Sequence, residues 1–349
     1  MSPLPTRAQF EITYRCNIHC VHCYTDPFNT PGQVRRELAF EEILRIFDEL
    51  REAGVLWMLL TGGEAVVHPR FKEIYREAKT RGFIVSLFSN GTTITDDMAD
   101  FLASDPPFQL EVSCHGATNS VFDQITQIPG SFLRFQEGIR RILARGLPLK
   151  IKTKAMKENR HELMKIKEFI EGLGLDFNPN TTIQPRLNGD LSSTDHRLLP
   201  DEIVELEFGN FLDAEEKACS PKEEKHSSET FLQPPSHDRL FRCGCGTNAV
   251  VINPYGVVRS CTFTTRPAFD LKEMTLQSAW EKLVHEIRNA RYAPEVPCRV
   301  CPVYLLCGKN PAMAVHEAGS VQAPVEHFCG VAYGKAERLT KGSSSVVYS

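Results

Sequence analysis

Three cysteines near the N-terminus, Cys16, Cys20 and Cys23 in the run CNIHCVHCY, have the spacing C-x3-C-x2-C and follow an apolar run that reads as a strand. A [4Fe-4S] cube has four irons and normally takes four cysteine thiolates. Three thiolates on one tight loop would hold such a cube and leave its fourth iron open to another molecule. The competing reading is zinc. Structural zinc is closed by four ligands, and the nearest spare ones, His19 and His22, lie inside the same loop.

Seven more cysteines lie late in the chain: Cys243, Cys245, Cys261, Cys298, Cys301, Cys307 and Cys329. The C-x2-C pair at Cys298 and Cys301 also suits tetrahedral zinc, so zinc competes more strongly here. With twelve cysteines in all, a cytosolic chain is expected to use them for metal or redox chemistry, because the cytosol keeps thiols reduced. Cys114 stands apart from both groups. It reads as a small buried residue with a weaker claim to a catalytic or redox role.

The 349 residues carry a net charge of −4 and a pI near 6.3, which gives no electrostatic footprint for nucleic acid. The longest apolar run, from Val55 to Leu60, falls far short of the ~20 residues that a membrane helix needs. No signal-peptide pattern opens the chain. The expected location is the cytoplasm, away from membranes.

The elements that must position these residues alternate along the first half. Strands are expected at Phe10 to Thr13, Val55 to Thr61, Ile84 to Ser89, Leu110 to Ser113, Leu149 to Ala155 and Leu175 to Ile183. Helices are expected over Phe40 to Ala53, Phe71 to Arg81, after an N-cap at Thr95, Phe132 to Arg145 and His161 to Gly172. Six strand-helix units imply an α/β fold with parallel strands, whose ligands sit at the carboxyl ends of the strands. We divide the chain into a core over 1–195, a helix and linker over 196–240, a cysteine-rich domain over 241–335 and a tail over 336–349.

The strand ends carry recurring motifs: Gly62-Gly63-Glu64, then Ser89-Asn90-Gly91, then Ser113 in SCHGAT. Asn-Gly alone is an ordinary turn signal. Together with the cysteine triplet and the flat His22, these motifs resemble the radical SAM superfamily. That resemblance implies a partial (β/α)6 barrel of TIM type whose [4Fe-4S] cluster binds S-adenosylmethionine (SAM). It assigns Cys16, Cys20 and Cys23 to the cluster, and His22, Gly62, Gly63, Glu64, Ser89, Asn90 and Ser113 to SAM. In the familiar GGEP form, Ala65 here replaces proline. Lys152 and Lys154 share one face of the fifth strand; one of them could meet the SAM carboxylate, though a structural or solvated role is the expectation. Arg186, in PRLNGD, is a further SAM candidate.

The late cysteines resemble a SPASM domain, which holds auxiliary iron–sulfur clusters. Two departures stand out: Pro311 occupies the position of an expected cysteine, and Cys243 and Cys245 compete for the opening one. By the resemblance, Cys298, Cys301, Cys307 and Cys329 make a complete four-thiolate site, while Cys243, Cys245 and Cys261 make an incomplete one. The implied activity is one-electron cleavage of SAM to methionine and a 5′-deoxyadenosyl radical, which takes hydrogen from a substrate. The wording SCHGAT, IPGSF, NRHEL and PRLNGD is most similar to maturases of ribosomally made peptides, which cross-link, epimerise or excise. The implied partners are a precursor peptide, a separate leader-recognition protein (few residues precede the first strand) and a reductant such as flavodoxin or ferredoxin. Alternatives are an enzyme of haem, tetrapyrrole or quinone-cofactor biosynthesis, and a non-catalytic electron carrier.

Overall fold

The computed structural model describes residues 4–25, 30–208, 238–241, 244 and 246–343. Six strands, β1 (Arg7–Thr13), β2 (Trp57–Gly62), β3 (Ile84–Ser89), β4 (Gln109–Ser113), β5 (Leu149–Lys154) and β6 (Pro179–Asn180), lie side by side in chain order. Every neighbouring pair is parallel. Parallel neighbours need a crossover, and helices supply each one: Phe40–Glu52, Phe71–Thr80, Asp96–Ser104, Ser131–Ala144 and Leu163–Gly172. This is the α/β partial barrel, with six parallel strands joined by five crossover helices.

The helix-facing rows of the sheet are apolar and fully buried at Phe10, Leu60, Leu87, Leu110 and Val112. Against them pack helical stripes such as Ile43, Ile46, Phe47 and Leu50, spaced to lie along one helix face. Phe10 and Phe47 meet edge to face at 5.4 Å. The other face mixes polar and apolar side chains. Phe88 registers with Glu111, Glu111 with Lys150, and Ser113 with Lys152; the Lys152 ammonium pairs with Glu111 and lies 3.9 Å from the Phe88 ring centre.

Three features differ from the sequence expectation. β6 is two residues long rather than spanning Leu175 to Ile183, because Pro179 has no N–H for a ladder and the Asn180 side chain turns the chain by accepting from Thr182 N at 3.0 Å. A helix over Asn119–Thr126 was not foreseen; Thr118 caps it by accepting from Val121 N. Finally, β7 (Ala249–Ile252) pairs in parallel with the free edge of β1, and β8 (Val257–Arg259) and β9 (Ala268–Asp270) continue the sheet antiparallel. These late strands cover an edge that would otherwise be open.

The chain packs as two compact units, one of Met1–His196 with Arg242–Asn289 and one of Arg197–Phe241 with Ala290–Ser349. Within the second, Glu326–Ser343 lies along Pro200–Phe208, with Gly330 and Gly334 closest to Pro200 and Val204. Arg197 and Glu317 form a buried two-pronged ion pair at 2.6 and 2.8 Å.

Candidate active site at the strand ends

The parallel order brings the loops after β1 to β5 to one end of the sheet. After β1 comes the cysteine loop, after β2 the GGE turn, after β3 Asn90, and after β4 His115. The GGE turn is bonded to the cysteine loop: Gly63 N donates to Thr13 O and Glu64 N to Arg15 O, both at 2.8 Å. A β-carbon on Gly62 would lie 2.0 Å from Thr13 O, and one on Gly63 would lie 2.5 Å from Arg15 O and 2.7 Å from Tyr14 O. The glycines are therefore required for backbone against backbone, and the amides of Gly63 and Glu64 are already used within the chain. Gly63→Ala is expected to displace the cysteine loop and to lower both iron content and SAM cleavage at least tenfold, measured by iron assay and chromatography of 5′-deoxyadenosine.

Glu64 is almost wholly buried. Its carboxylate accepts from Asn90 N at 2.6 Å and from Val66 N at 3.4 Å, so it joins the second and third turns. Burial pushes its carboxyl up to about 7, against the pull of hydrogen bonds from Asn90, Ser89 and Val66; no cation is among the groups that act on it among the described residues. An arriving ammonium would complete it. Because the folded carboxyl titrates above the unfolded value, its neutral form favours folding at low pH, and this is lost as pH rises from 4.5 to about 7. SAM-free protein is expected to lose about 3 kcal/mol of apparent stability across that window, Glu64→Gln to flatten the loss, and SAM to reverse it in the native protein. Thermal unfolding between pH 4.5 and 8 checks all three.

Asn90 Nδ2 donates to Asn17 Oδ1 at 2.9 Å and lies 3.7 Å from Cys16 Sγ. Ser89 Oγ accepts from Gly91 N at 3.0 Å. Cys20 Sγ lies 3.8 Å from His115 Nε2, and Cys23 Sγ 3.2 Å from Thr25 Oγ1. Burial, and then the charges of the other thiols in the triplet, push the Cys20 thiol far above its usual range; burial, Glu64 and Cys23 push Cys16 up to about 12. Thiols raised as Cys16 and Cys20 are become thiolates around a cationic centre, which is what an iron–sulfur cube offers.

His22 packs against His115, ring centres 5.0 Å apart, and the Nδ1 atoms of both are buried without a hydrogen-bond partner among the described residues. Burial, then His115, Lys154, His196 and Arg186, hold His22 neutral; burial brings His115 to about 4. Ser113 ends β4 and is half-buried. Lys154 donates to Asn180 Oδ1 and Thr182 O, and Arg186 pairs with Asp190 inside its own turn. Both thus have structural partners. Cys114 is fully buried, donates to Gly116 O at 3.5 Å, and is pushed up to about 12 by burial, which fits its reading as a small core residue.

Sequence reasoning missed His115, Asn17 and Glu162. The Glu162 carboxylate accepts from Ala117 N at 2.8 Å and Thr118 Oγ1 at 2.5 Å, while Asn159 Nδ2 donates to His115 O and Lys154 O. SCHGAT and NRHEL are therefore two halves of one bonded framework at the barrel mouth. His115 and Glu162 lie inside the SCHGAT and NRHEL wording, and Asn17 follows the first motif cysteine, which is the signal that could have found them.

Of the late cysteines, Cys243 and Cys245 lie outside the described residues. Cys261 follows β8 in the first unit. In the second unit, Cys298, Cys301, Cys307 and Cys329 line one small cavity. Burial first, then the neighbouring thiols, raise Cys307 and Cys329. Pro311, at the position of the missing cysteine, is the buried first residue of the helix Pro311–Ala318, capped by Asn310. Among the described residues, no three His, Cys, Asp or Glu side chains are gathered around a single-ion position.

Residues 10–170 match the family model described as the Radical SAM superfamily. That stretch is a radical SAM domain, of a superfamily that uses a [4Fe-4S] cluster and SAM. The chain is 25% identical to the AdoMet-dependent heme synthase of Methanosarcina barkeri, over 91% of this chain and 95% of that protein. It is 27% identical to the PqqA peptide cyclase of Ruegeria pomeroyi, over 86% of this chain and 80% of that protein. Its fold is similar to Streptococcus suis SuiB solved with S-adenosylmethionine, with TM-score 0.64 and 13% identity, covering 93% of this chain and 77% of that one. No helix among the described residues of this chain is long and apolar enough to cross a membrane.

Proposed function

We propose that the chain modifies a ribosomally made precursor peptide, drawing a hydrogen atom from it at the polar mouth of the barrel. The observation that carries this reading is the bonded framework of SCHGAT and NRHEL, together with the peptide cyclase among the relatives. When bound, the cluster and SAM supply a 5′-deoxyadenosyl radical, so the protein's part is to orient and enclose. Cys16, Cys20 and Cys23 would hold the cluster. Glu64 would take the ammonium of SAM, Asn90 and Ser113 would line its methionine and ribose, and His22 would offer a flat neutral face.

Cys298, Cys301, Cys307 and Cys329 would hold an auxiliary cluster, and Cys243, Cys245 and Cys261 would contribute to a second. This makes the C-terminal region a SPASM domain. A separate protein would recognise the leader, a flavodoxin or ferredoxin would deliver electrons, and the work would take place in the cytoplasm.

The haem synthase among the relatives, matched over 95% of its length, favours a second reading in which a tetrapyrrole is the substrate. Incubating reduced enzyme and SAM anaerobically with a short peptide encoded beside its gene, followed by mass spectrometry with deuterium labelling, separates the two. A loss of two mass units, an unchanged mass with deuterium uptake, or a larger loss supports the peptide reading. An unmodified peptide alongside turnover of a tetrapyrrole overturns it.

A further inference from the structure

The loop after Cys307 carries a lysine two residues on, and its ammonium turns back onto the cysteine site. Lys309 Nζ lies 3.6 Å from Cys298 Sγ, 3.2 Å from Gln322 O and 3.0 Å from Ala323 O. An ammonium has three protons and no acceptor. Here two protons go to carbonyls and the third to sulfur. The same Nζ lies 5.3 Å from the centre of the Tyr292 ring, which also lines the cysteine cavity. The turn that supplies the two carbonyls is tied in by Gln322 Oε1, which accepts from Ala293 N at 2.7 Å.

We infer that Lys309 is a positioning residue that sets the reduction potential of the cluster held by Cys298, Cys301, Cys307 and Cys329. The inference rests on the four-thiolate reading of that site. Reduction adds one electron and no proton, so the site becomes more negative by one charge. A fixed cation bonded to a ligand sulfur stabilises the reduced form more than the oxidised form, as hydrogen bonds to cluster sulfurs do generally. The rigid carbonyl clamp keeps the cation in place in both states.

The test is a dithionite titration of the reconstituted full chain, followed by electron paramagnetic resonance, for native protein, Lys309→Arg, Lys309→Gln and Lys309→Met. Cys20→Ala serves as a common background so that only the auxiliary signals are read. Lys309→Gln keeps a donor and most of the bulk without the charge, so it separates charge from packing. Lys309→Gln and Lys309→Met are expected to shift the reduction equilibrium about tenfold toward the oxidised form, about 59 mV lower for a one-electron couple. Lys309→Arg is expected to stay near the native value.

An unchanged potential in Lys309→Gln with iron content intact would overturn the Lys309 assignment alone. If Cys301→Ala leaves iron content and the titrated signal as they were, the four-thiolate reading fails, and the Lys309 assignment falls with it.

Discussion

Cys20→Ala loses about four irons per chain, and its formation of 5′-deoxyadenosine from SAM falls to background, while the protein remains folded. Cys20 lies in the loop clamped by the GGE turn, its sulfur 3.8 Å from His115. Its alanine variant leaves two thiolates where a cube needs at least three. The informative comparison is Cys301→Ala. Cys301 belongs to the second unit's cavity, so its loss also removes about four irons, yet the strand-end site stays intact. Cleavage of SAM without peptide modification is the expected outcome. Iron assay, absorbance and chromatography of 5′-deoxyadenosine on both variants decide it, and equal loss of cleavage in both would contradict the division of labour.

Arg259→Met produces the largest loss of stability. Arg259 and Glu11 are both buried, with Nη2 to Oε2 at 2.7 Å, and Glu11 also accepts from Tyr14 Oη at 2.8 Å and Tyr24 Oη at 2.9 Å. Burial pushes the Glu11 carboxyl up while Arg259 and the two hydroxyls pull it back. Three donors converge on this one buried carboxyl. Removing one partner of a buried pair costs about 3–5 kcal/mol, whereas replacing both with apolar residues is often close to neutral. Arg259→Met is therefore expected to lower the Tm by roughly 4–7 °C, and Glu11→Leu with Arg259→Met to recover most of it. Calorimetry on both variants checks this; additive losses would mean that the pair is not coupled. The network also ties Tyr24, which follows Cys23, to the strand that leads to Cys261. A partial loss of iron in Arg259→Met is expected to accompany the fall in Tm.

Much of the fold was legible because the signals were periodic and local. Phe10, Leu60, Leu87 and Val112 fall on alternating strand positions, and Ile43, Phe47 and Leu50 on a helical stripe. β6 was over-read because apolar content around Phe177 and Ile183 does not register that Pro179 lacks a donor. The edge strand β7 was assigned to the cysteine domain because pairing with β1, some 240 residues away in sequence, leaves no local trace. At the site, the motif glycines were expected to approach a ligand, yet they approach the cysteine loop. A Gly-Gly pair reveals that something comes close, without saying what. His115 was passed over for the same reason: its contacts with Cys20 and His22 exist only once β1 and β4 are folded. Lys309 shows the reverse case, in which a residue beside a motif position carries chemistry that the motif does not name.

The central claim is that the strand-end site cleaves SAM by one electron. Reconstituted native protein, reduced with dithionite under anaerobic conditions and given SAM, is to be assayed by liquid chromatography and mass spectrometry for 5′-deoxyadenosine and methionine. The account predicts that both appear in equal amounts, and that neither appears in Cys20→Ala. Native protein that carries its iron and its cluster absorbance, is reduced, and still forms no 5′-deoxyadenosine would contradict it.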